Sequence, residues 1–379
     1  MATMMPKTFL GARQHVTGGP LQLDELPMPR AIGTDVVVKV EACNIVPNLA
    51  NVLSAEWATL MKYLPLPKLP AGFGLDVAGV VHEVGEHVHA IRPGERVYVN
   101  PARGCGSCRF CRAGETLNCE SFIYQGYFGR GPLSQKVFDR YPYGGLGQYT
   151  IAPVDALVKL PDNIGFEQAS RFGYLGTGYG ALKKSNLKPA GSVLINGATG
   201  TLGVGTVLLA LAMGAARILG VARNKNLLAR VKALAPARIE TFSTTDGAPI
   251  ERWAKDLTDG DGVDAVIDAL PPRASAAAQL DAMKALRMGG TWVDVGGVAD
   301  DLILPNYWMK SRNLTLTAGR WFTPDDGREM AEMVRAGTLD LGVFEHRRFP
   351  LAQVNEAIAA LKTDTANSSG GFTNFVVIP

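Results

Sequence analysis

Hydrophobic residues in the first part of the chain fall in short, valine-rich runs closed by turn residues. Residues 35–46 (DVVVKVEACNIV) and 76–85 (DVAGVVHEVG) are two such runs. Their β-branched content and turn-forming ends predict strands. Residues 94–99 (GERVYV) add another after a Pro-Gly turn. Residues 145–160 (GLGQYTIAPVDALVKL) read as further strand around an internal proline, which suits an edge or a bend. Many short strands with Gly/Pro turns predict a barrel-like or mixed β unit up to about residue 160.

The period then changes. Residues 191–200 (GSVLINGATG) form an apolar strand ending in glycines, and 202–213 read as an apolar helix. Strands follow at 216–224, 263–270, 290–297 and 313–320, with an alanine-rich helix over 275–286. Continuous apolar strands alternating with helices predict a parallel sheet covered on both faces. The tail adds helices over 326–337 and 351–362 and a final strand, FVVIP. The fold class expected is therefore α/β, with a β-rich unit joined to a doubly wound parallel sheet.

Composition adds exclusions. The chain has 379 residues, room for about two domains of roughly 150 residues. Apolar residues make up 47% and charged residues 19%, a globular composition that argues against disorder. A net charge of +3 argues against a nucleic-acid partner. The longest apolar stretches, such as VGTVLLALAMGAA, are too short to span a bilayer, and the first residues lack a signal-peptide core. A cytoplasmic protein with no membrane partner is the expectation.

Four of the five cysteines sit in one window: Cys105, Cys108, Cys111 and Cys119. Four thiolates suit tetrahedral zinc and leave no open position for water, so one structural Zn2+ per chain is expected. Iron–sulfur ligation and reduced or paired cysteines are the alternatives. Cys43 stands alone on a strand and reads as a small buried hydrophobe.

The segment Gly197, Ala198, Thr199, Gly200, Thr201, Leu202, Gly203 follows a strand and opens a helix. Glycines there let the backbone approach a pyrophosphate resting on the helix N-terminus. The first glycine of the usual triplet falls at Ala198. The next strand ends in Ala222, Arg223, Asn224 and Lys225. NAD enzymes place an acid at that point for the ribose hydroxyls. Here there is none, and Arg223 can grip a 2′-phosphate. NADP(H) is the cofactor expected, with NAD(H) as the alternative.

Taken together, the sequence resembles the medium-chain dehydrogenase/reductase superfamily, the relatives of zinc alcohol dehydrogenases. The resemblance covers nearly the whole chain. It rests on VVVKVEAC, Gly79-Val80-Val81 with Val84-Gly85, the turn Pro93-Gly94-Glu95-Arg96-Val97, the four-cysteine lobe at about 100–122, GGLGQY at 144–149, GTGYGAL at 176–182 and the glycine loop. It implies a GroES-like catalytic domain over 1–165 and 322–379 and a Rossmann-type nucleotide domain over 166–321. It also implies a homodimer or homotetramer, and adds Thr177, Gly296 and Gly319 to the cofactor site.

The departures bear on the chemistry. Family alcohol dehydrogenases hold a catalytic zinc through Cys, His and Cys. Those positions fall here at Val46, Leu75 and near Gly173, none of which offers a ligating side chain. None of the histidines (His15, His82, His87, His89, His346) matches the ligand position. The resemblance thus implies a member that kept the structural zinc and lost the catalytic one. Without a Lewis acid, hydrogen-bond donors must stabilise the oxyanion that forms as a carbonyl accepts hydride. Asn48 falls near the family's proton-relay Ser or Thr. Asp76 matches the acid beside the catalytic zinc. Tyr63, before the LPLPKLP loop, is a candidate proton donor.

Aromatic residues near the expected pocket (Trp57, Tyr63, Phe73, Phe122, Tyr124, Tyr127, Phe128, Trp308 and Trp321) point to a moderately apolar substrate. Tyr174 and Tyr179 are expected beside the nicotinamide cleft. The function expected is NADP(H)-dependent hydride transfer to a small-molecule aldehyde or ketone, or from the corresponding alcohol. Reduction of an activated C=C bond in an enone, enal or quinone is the rival, and a non-catalytic nucleotide-binding relative the third reading.

Overall fold

The computed structural model describes residues 6–364 and 370–379. Its first large sheet is built around strand Asp35–Asn44, whose valines are buried on both faces. That strand pairs antiparallel with Asp76–Val84, from Val36 opposite Val84 to Asn44 opposite Asp76. Arg96–Val99 and Leu157–Lys159 extend the sheet on one side, and Thr373–Ile378 and Glu345–Pro350 on the other. The chain's last strand thus returns to the sheet formed by its first third. A smaller three-stranded sheet joins Thr8–Gln14 to Leu21–Pro27 and Ala71–Gly72.

The second large sheet has six parallel strands in the order Ile239–Ser243, Arg217–Ala222, Ser192–Asn196, Val263–Asp268, Leu286–Asp294, Thr315–Ala318. Val193, Leu194, Ile195, Ile218, Leu219, Val266 and Ile267 are fully buried in it, as expected for strands covered on both faces. The chain is therefore α/β, with a GroES-like β-rich domain and a Rossmann-type domain. Among the described residues no helix is long and apolar enough to cross a membrane.

Several elements differ from the sequence reading. The run 145–160 is two strands, Tyr149–Pro153 and Leu157–Lys159, separated by a 3-10 turn over Val154–Ala156. Pro153 has no N–H to continue a ladder, and the two strands pair with different neighbours. The alanine-rich helix is shorter, Ala276–Met283, with Ser275 as its cap. The strand after it begins at Leu286 rather than 290 and shifts register before Thr291. Gly289, in the left-handed region (φ 71°), lies at that irregularity. Strand Ile239–Ser243 was not anticipated: at the sheet's edge, its Glu240 and Thr241 interrupt the apolar run.

Candidate functional site

The four cysteines converge. Their Sγ atoms lie within 4.8 Å of one another, compatible with the roughly 3.8 Å sulfur–sulfur spacing of a tetrahedral site with Zn–S bonds of about 2.3 Å. Backbone N–H groups already point at the sulfurs: Cys105 N donates to Cys119 Sγ (3.4 Å), Cys108 N to Cys105 Sγ (3.3 Å) and Cys111 N to Cys108 Sγ (3.5 Å). Such donors favour thiolates. The residues fit a structural zinc, and among the described residues no other cluster of metal-ligating side chains forms.

At the C-terminal rim of the parallel sheet, Gly197 turns in the left-handed region (φ 88°). Its N–H and that of Ala198 donate to the Val221 carbonyl (2.9 and 3.0 Å). Gly200 caps helix Thr201–Ala212, so the N–H groups of Thr201, Leu202 and Gly203 have no partner within the helix. A Cβ on Gly203 would lie 2.1 Å from the Gly197 carbonyl oxygen, which is why the loop can fold so tightly against its own helix. This is a cradle for an anion at a helix N-terminus. Gly296 and Gly319 lie on the same rim: Gly296 N donates to Asp294 Oδ1 (3.0 Å) and Gly319 N to the Asp294 carbonyl (2.8 Å). Thr177 lies within helix Phe172–Lys184, where its hydroxyl donates to the Gly173 carbonyl (2.9 Å).

Beyond Ala222 the four expected residues divide. Asn224 caps helix Lys225–Ala233, its Oδ1 accepting from Asn226 and Leu227 N. Lys225 is tied to Asp246. Arg223 is exposed, and among the described residues its guanidinium is held by no carboxylate. The Ser243 hydroxyl, bonded to the Arg223 carbonyl (3.0 Å) and Thr245 Oγ1 (2.7 Å), stands next to it.

The three positions at which the resemblance expects catalytic-zinc ligands carry no ligating side chain. Val46 and Leu75 are buried apolar side chains. Gly173 lies in a helix against Asp76, and a Cβ there would sit 2.0 Å from Asp76 Oδ1 and 2.6 Å from Oδ2. The Asp76 carboxyl thus takes up the space a side chain at 173 would need.

Asp76 is fully buried. Tyr98 Oη donates to its Oδ1 (2.8 Å). Burial pushes the carboxyl up from 3.8 to about 7, opposed by the Tyr98 bond, the Arg171 guanidinium, Asn44 and the Gly173 N–H. Asp76 Oδ2, both Asn44 amide atoms and Arg171 Nε are buried without a hydrogen-bond partner among the described residues. Arg171 itself, pushed down to about 10 by burial, donates to the Gly371 carbonyl (2.5 Å).

Asn48 is partly exposed at the start of helix Leu49–Val52, and its Oδ1 accepts from Asn51 Nδ2 (2.8 Å). Asn48 also bears on the buried Tyr127 hydroxyl, as do Tyr174, Asp76 and Tyr124. Desolvation holds the Tyr127 phenol well above its ordinary range, so it keeps its proton. The structure does not gather Tyr63 into this group. It is 70% exposed, and its hydroxyl contacts Met61 Sδ (3.7 Å). Tyr179 likewise points away, to Glu329 (2.7 Å), and Trp308, partly buried, packs against the apolar cluster of the nucleotide domain. Tyr98, Asn44 and Arg171 carried no local motif; Tyr127 was visible only as one aromatic among many.

Comparison with known proteins adds the family. Residues 33–162 match the alcohol dehydrogenase GroES-like domain, and 201–336 the zinc-binding dehydrogenase domain. An NAD-dependent alcohol dehydrogenase of Sulfurisphaera tokodaii is 32% identical over 254 residues, 66% of this chain and 68% of that protein. One from Saccharolobus solfataricus is 32% identical over 288 residues, 75% and 77% of the two chains. The crystal structure of a putative zinc-binding dehydrogenase from Sinorhizobium meliloti bound to NADP superposes with a TM-score of 0.80 at 22% identity, covering 99% of this chain and 100% of that one. The chain belongs to the zinc-type alcohol dehydrogenase family of medium-chain dehydrogenases/reductases, NAD(P)-dependent oxidoreductases that act on alcohols and carbonyl compounds.

Proposed function

We propose that this chain is an NADP(H)-dependent reductase of aldehydes or ketones, or dehydrogenase of the corresponding alcohols, whose reaction centre holds no metal. The observation that carries this reading is the replacement of all three ligand positions: Val46 and Leu75 are apolar, and at Gly173 the Asp76 carboxyl fills the space. The preference for NADP(H) rests on Arg223, exposed and held by no carboxylate among the described residues, and on the end of strand Arg217–Ala222, where Ala222 to Lys225 place no acid for ribose hydroxyls. The relatives named NAD-dependent make NAD(H) the competing cofactor.

When bound, the nicotinamide supplies the hydride. The protein's part is to hold the substrate and place a proton. Gly197 to Gly203 and the helix behind them hold the pyrophosphate. Asn48 Nδ2 and Tyr127 Oη are the donors that face the oxygen of the carbonyl, stabilising the charge that develops there. Tyr127 Oη, still protonated in its buried setting, gives its proton to that oxygen and regains one from solvent between turnovers. In the oxidative direction the same oxygen returns the proton to Tyr127. Asp76 and Tyr98, buried and bonded to each other, act as positioning residues. Tyr63, exposed at the outside, is assigned no step.

Met288, on strand Leu286–Asp294 beside the open edge strand Thr315–Ala318, is exposed, as are Ile303 and Tyr307, which supports the reading of a homodimer or larger oligomer. The decisive test of function is NADPH oxidation against a panel of aldehydes, ketones, enones and quinones, with identification of the product. Alcohol products carry the proposal. Saturation of the C=C bond alone would move it to ene reduction, and nucleotide binding without any turnover would leave a non-catalytic relative.

A further inference from the structure

Arg171 is a charged side chain buried against the glycine loop. It stands just before helix Phe172–Lys184 and is 2% exposed. Its Nη2 donates to the Gly371 carbonyl oxygen (2.5 Å) and also reaches the Thr201 carbonyl oxygen (3.4 Å). The guanidinium carbon lies 4.7 Å from the centre of the Phe344 ring, and Nε is buried without a hydrogen-bond partner among the described residues. Asp76 acts on the guanidinium across space, but among the described residues no hydrogen bond or ion pair joins the two. Burial opposes the charge without removing it near neutral pH. A guanidinium held in the dry interior without an ion pair is costly, and a negative charge brought close to it offsets that cost.

The contact with Thr201 says where such a charge arrives. Thr201 opens helix Thr201–Ala212. Its carbonyl and the Leu202 N–H are the two ends of one peptide unit, and that N–H has no partner within the helix. A cation drawing on the carbonyl polarises the unit and makes the N–H a stronger donor to an anion on the loop. The outer side of the loop is braced as well. Gly371 N donates to the Thr199 carbonyl (2.8 Å). A Cβ on Gly371 would lie 2.2 Å from the Gly200 carbonyl oxygen, and one on Gly370 2.7 Å from that of Thr199. The turn before strand Thr373–Ile378 therefore rests directly on Thr199 and Gly200. That strand belongs to the first large sheet, so one nitrogen of Arg171 ties the loop of the parallel sheet to the returning end of the chain.

We propose that Arg171 is a positioning residue for the dinucleotide cofactor. It supplies positive charge behind the glycine loop, acts on the pyrophosphate through the Thr201–Leu202 peptide rather than by touching it, and is balanced by that anion when the cofactor binds. This rests on the pyrophosphate seat assigned above to Gly197 to Gly203.

The test is binding rather than turnover. NADP+, NAD+, adenosine 2′-monophosphate and adenosine are titrated calorimetrically into the wild type, Arg171→Gln, Arg171→Met and Arg171→Lys. The neutral variants are expected to bind the dinucleotide that the wild type takes about tenfold more weakly, the scale of one lost charge interaction partly screened by protein. The two adenosine ligands lack the pyrophosphate and keep their affinity, which a general disturbance of the nucleotide domain would not allow. Arg171→Lys keeps the charge but not the fork, and should lose about threefold, again on the dinucleotide alone. As the mildest change it carries the test where a neutral variant does not fold. The proposal is overturned if the variants that fold bind the dinucleotide as the wild type does, or if they weaken all the ligands alike; either result leaves the cofactor seat standing. A wild type that binds neither dinucleotide defeats the seat itself, and this inference with it.

Discussion

Replacing Asp76 by Asn tests whether the carboxyl beneath the reaction centre is held in its neutral form. The substitution keeps the shape and an oxygen to accept from Tyr98 Oη, now 2.8 Å away, and removes the group that titrates. In the folded chain burial moves this carboxyl from 3.8 to about 7. Between those values the folded protein holds a proton that the unfolded chain has released. Stability must therefore fall as pH rises through that window, and level off above it. The slope is about 1.4 kcal/mol per pH unit while the folded carboxyl stays protonated and about half that at pH 7, so about 2 kcal/mol is lost between pH 5 and pH 7. All other titrating groups are shared by the two proteins and cancel in their difference. Urea unfolding of wild type and Asp76→Asn, followed by tryptophan fluorescence in parallel at pH 5, 6, 7 and 8, reads that difference directly. From its position at pH 5 the variant should gain on wild type by about 2 kcal/mol at pH 7, with little further gain above. Parallel curves would show that Asp76 does not titrate in this range. A wild type that gains on the variant with rising pH would show an ionised, stabilised carboxylate, and would refute the reasoning.

Three further outcomes follow from the same geometry. Gly173→Ala should cost about 1–3 kcal/mol of stability, because its Cβ would lie 2.0 Å from Asp76 Oδ1; a variant with wild-type urea midpoints would show that the carboxyl can move aside. Arg223→Ala should raise the KM for NADPH about tenfold, the worth of a charge-assisted contact near the surface, while leaving NADH unchanged; equal loss for both cofactors would remove the 2′-phosphate argument. Tyr127→Phe and Asn48→Ala should each lower kcat about a hundredfold with nucleotide affinity intact, the scale of a lost proton donor or oxyanion contact; unchanged kcat in both, measured at saturating NADPH, would place the donors elsewhere.

What the sequence made legible was local. Cys105, Cys108, Cys111 and Cys119 lie so close in the chain that spacing alone brings their sulfurs within reach. The loop from Gly197 to Gly203 is read by one strand, one turn and one helix. The proposed reaction centre is different in kind. Asp76 meets Tyr98 across neighbouring strands, meets Gly173 through a helix from the other side, and feels Arg171. No periodicity joins those residues; only packing does. Tyr63 illustrates the converse. Its place before a proline-rich loop made it a candidate donor, yet the fold leaves it facing solvent. Tyr127, in the segment following the cysteine lobe, is brought to Asn48 only once the fold is complete.

On the function proposed above, a zinc-type dehydrogenase scaffold operates here around a reaction centre without metal. The measurement that tests it most directly is the zinc content of the purified enzyme, by elemental analysis on the same sample whose NADPH-dependent turnover is recorded. The account predicts about one zinc per chain, held by the four cysteines, with turnover unaffected by added Zn2+. Two tightly held zinc ions per chain, with activity that follows the second, would contradict it.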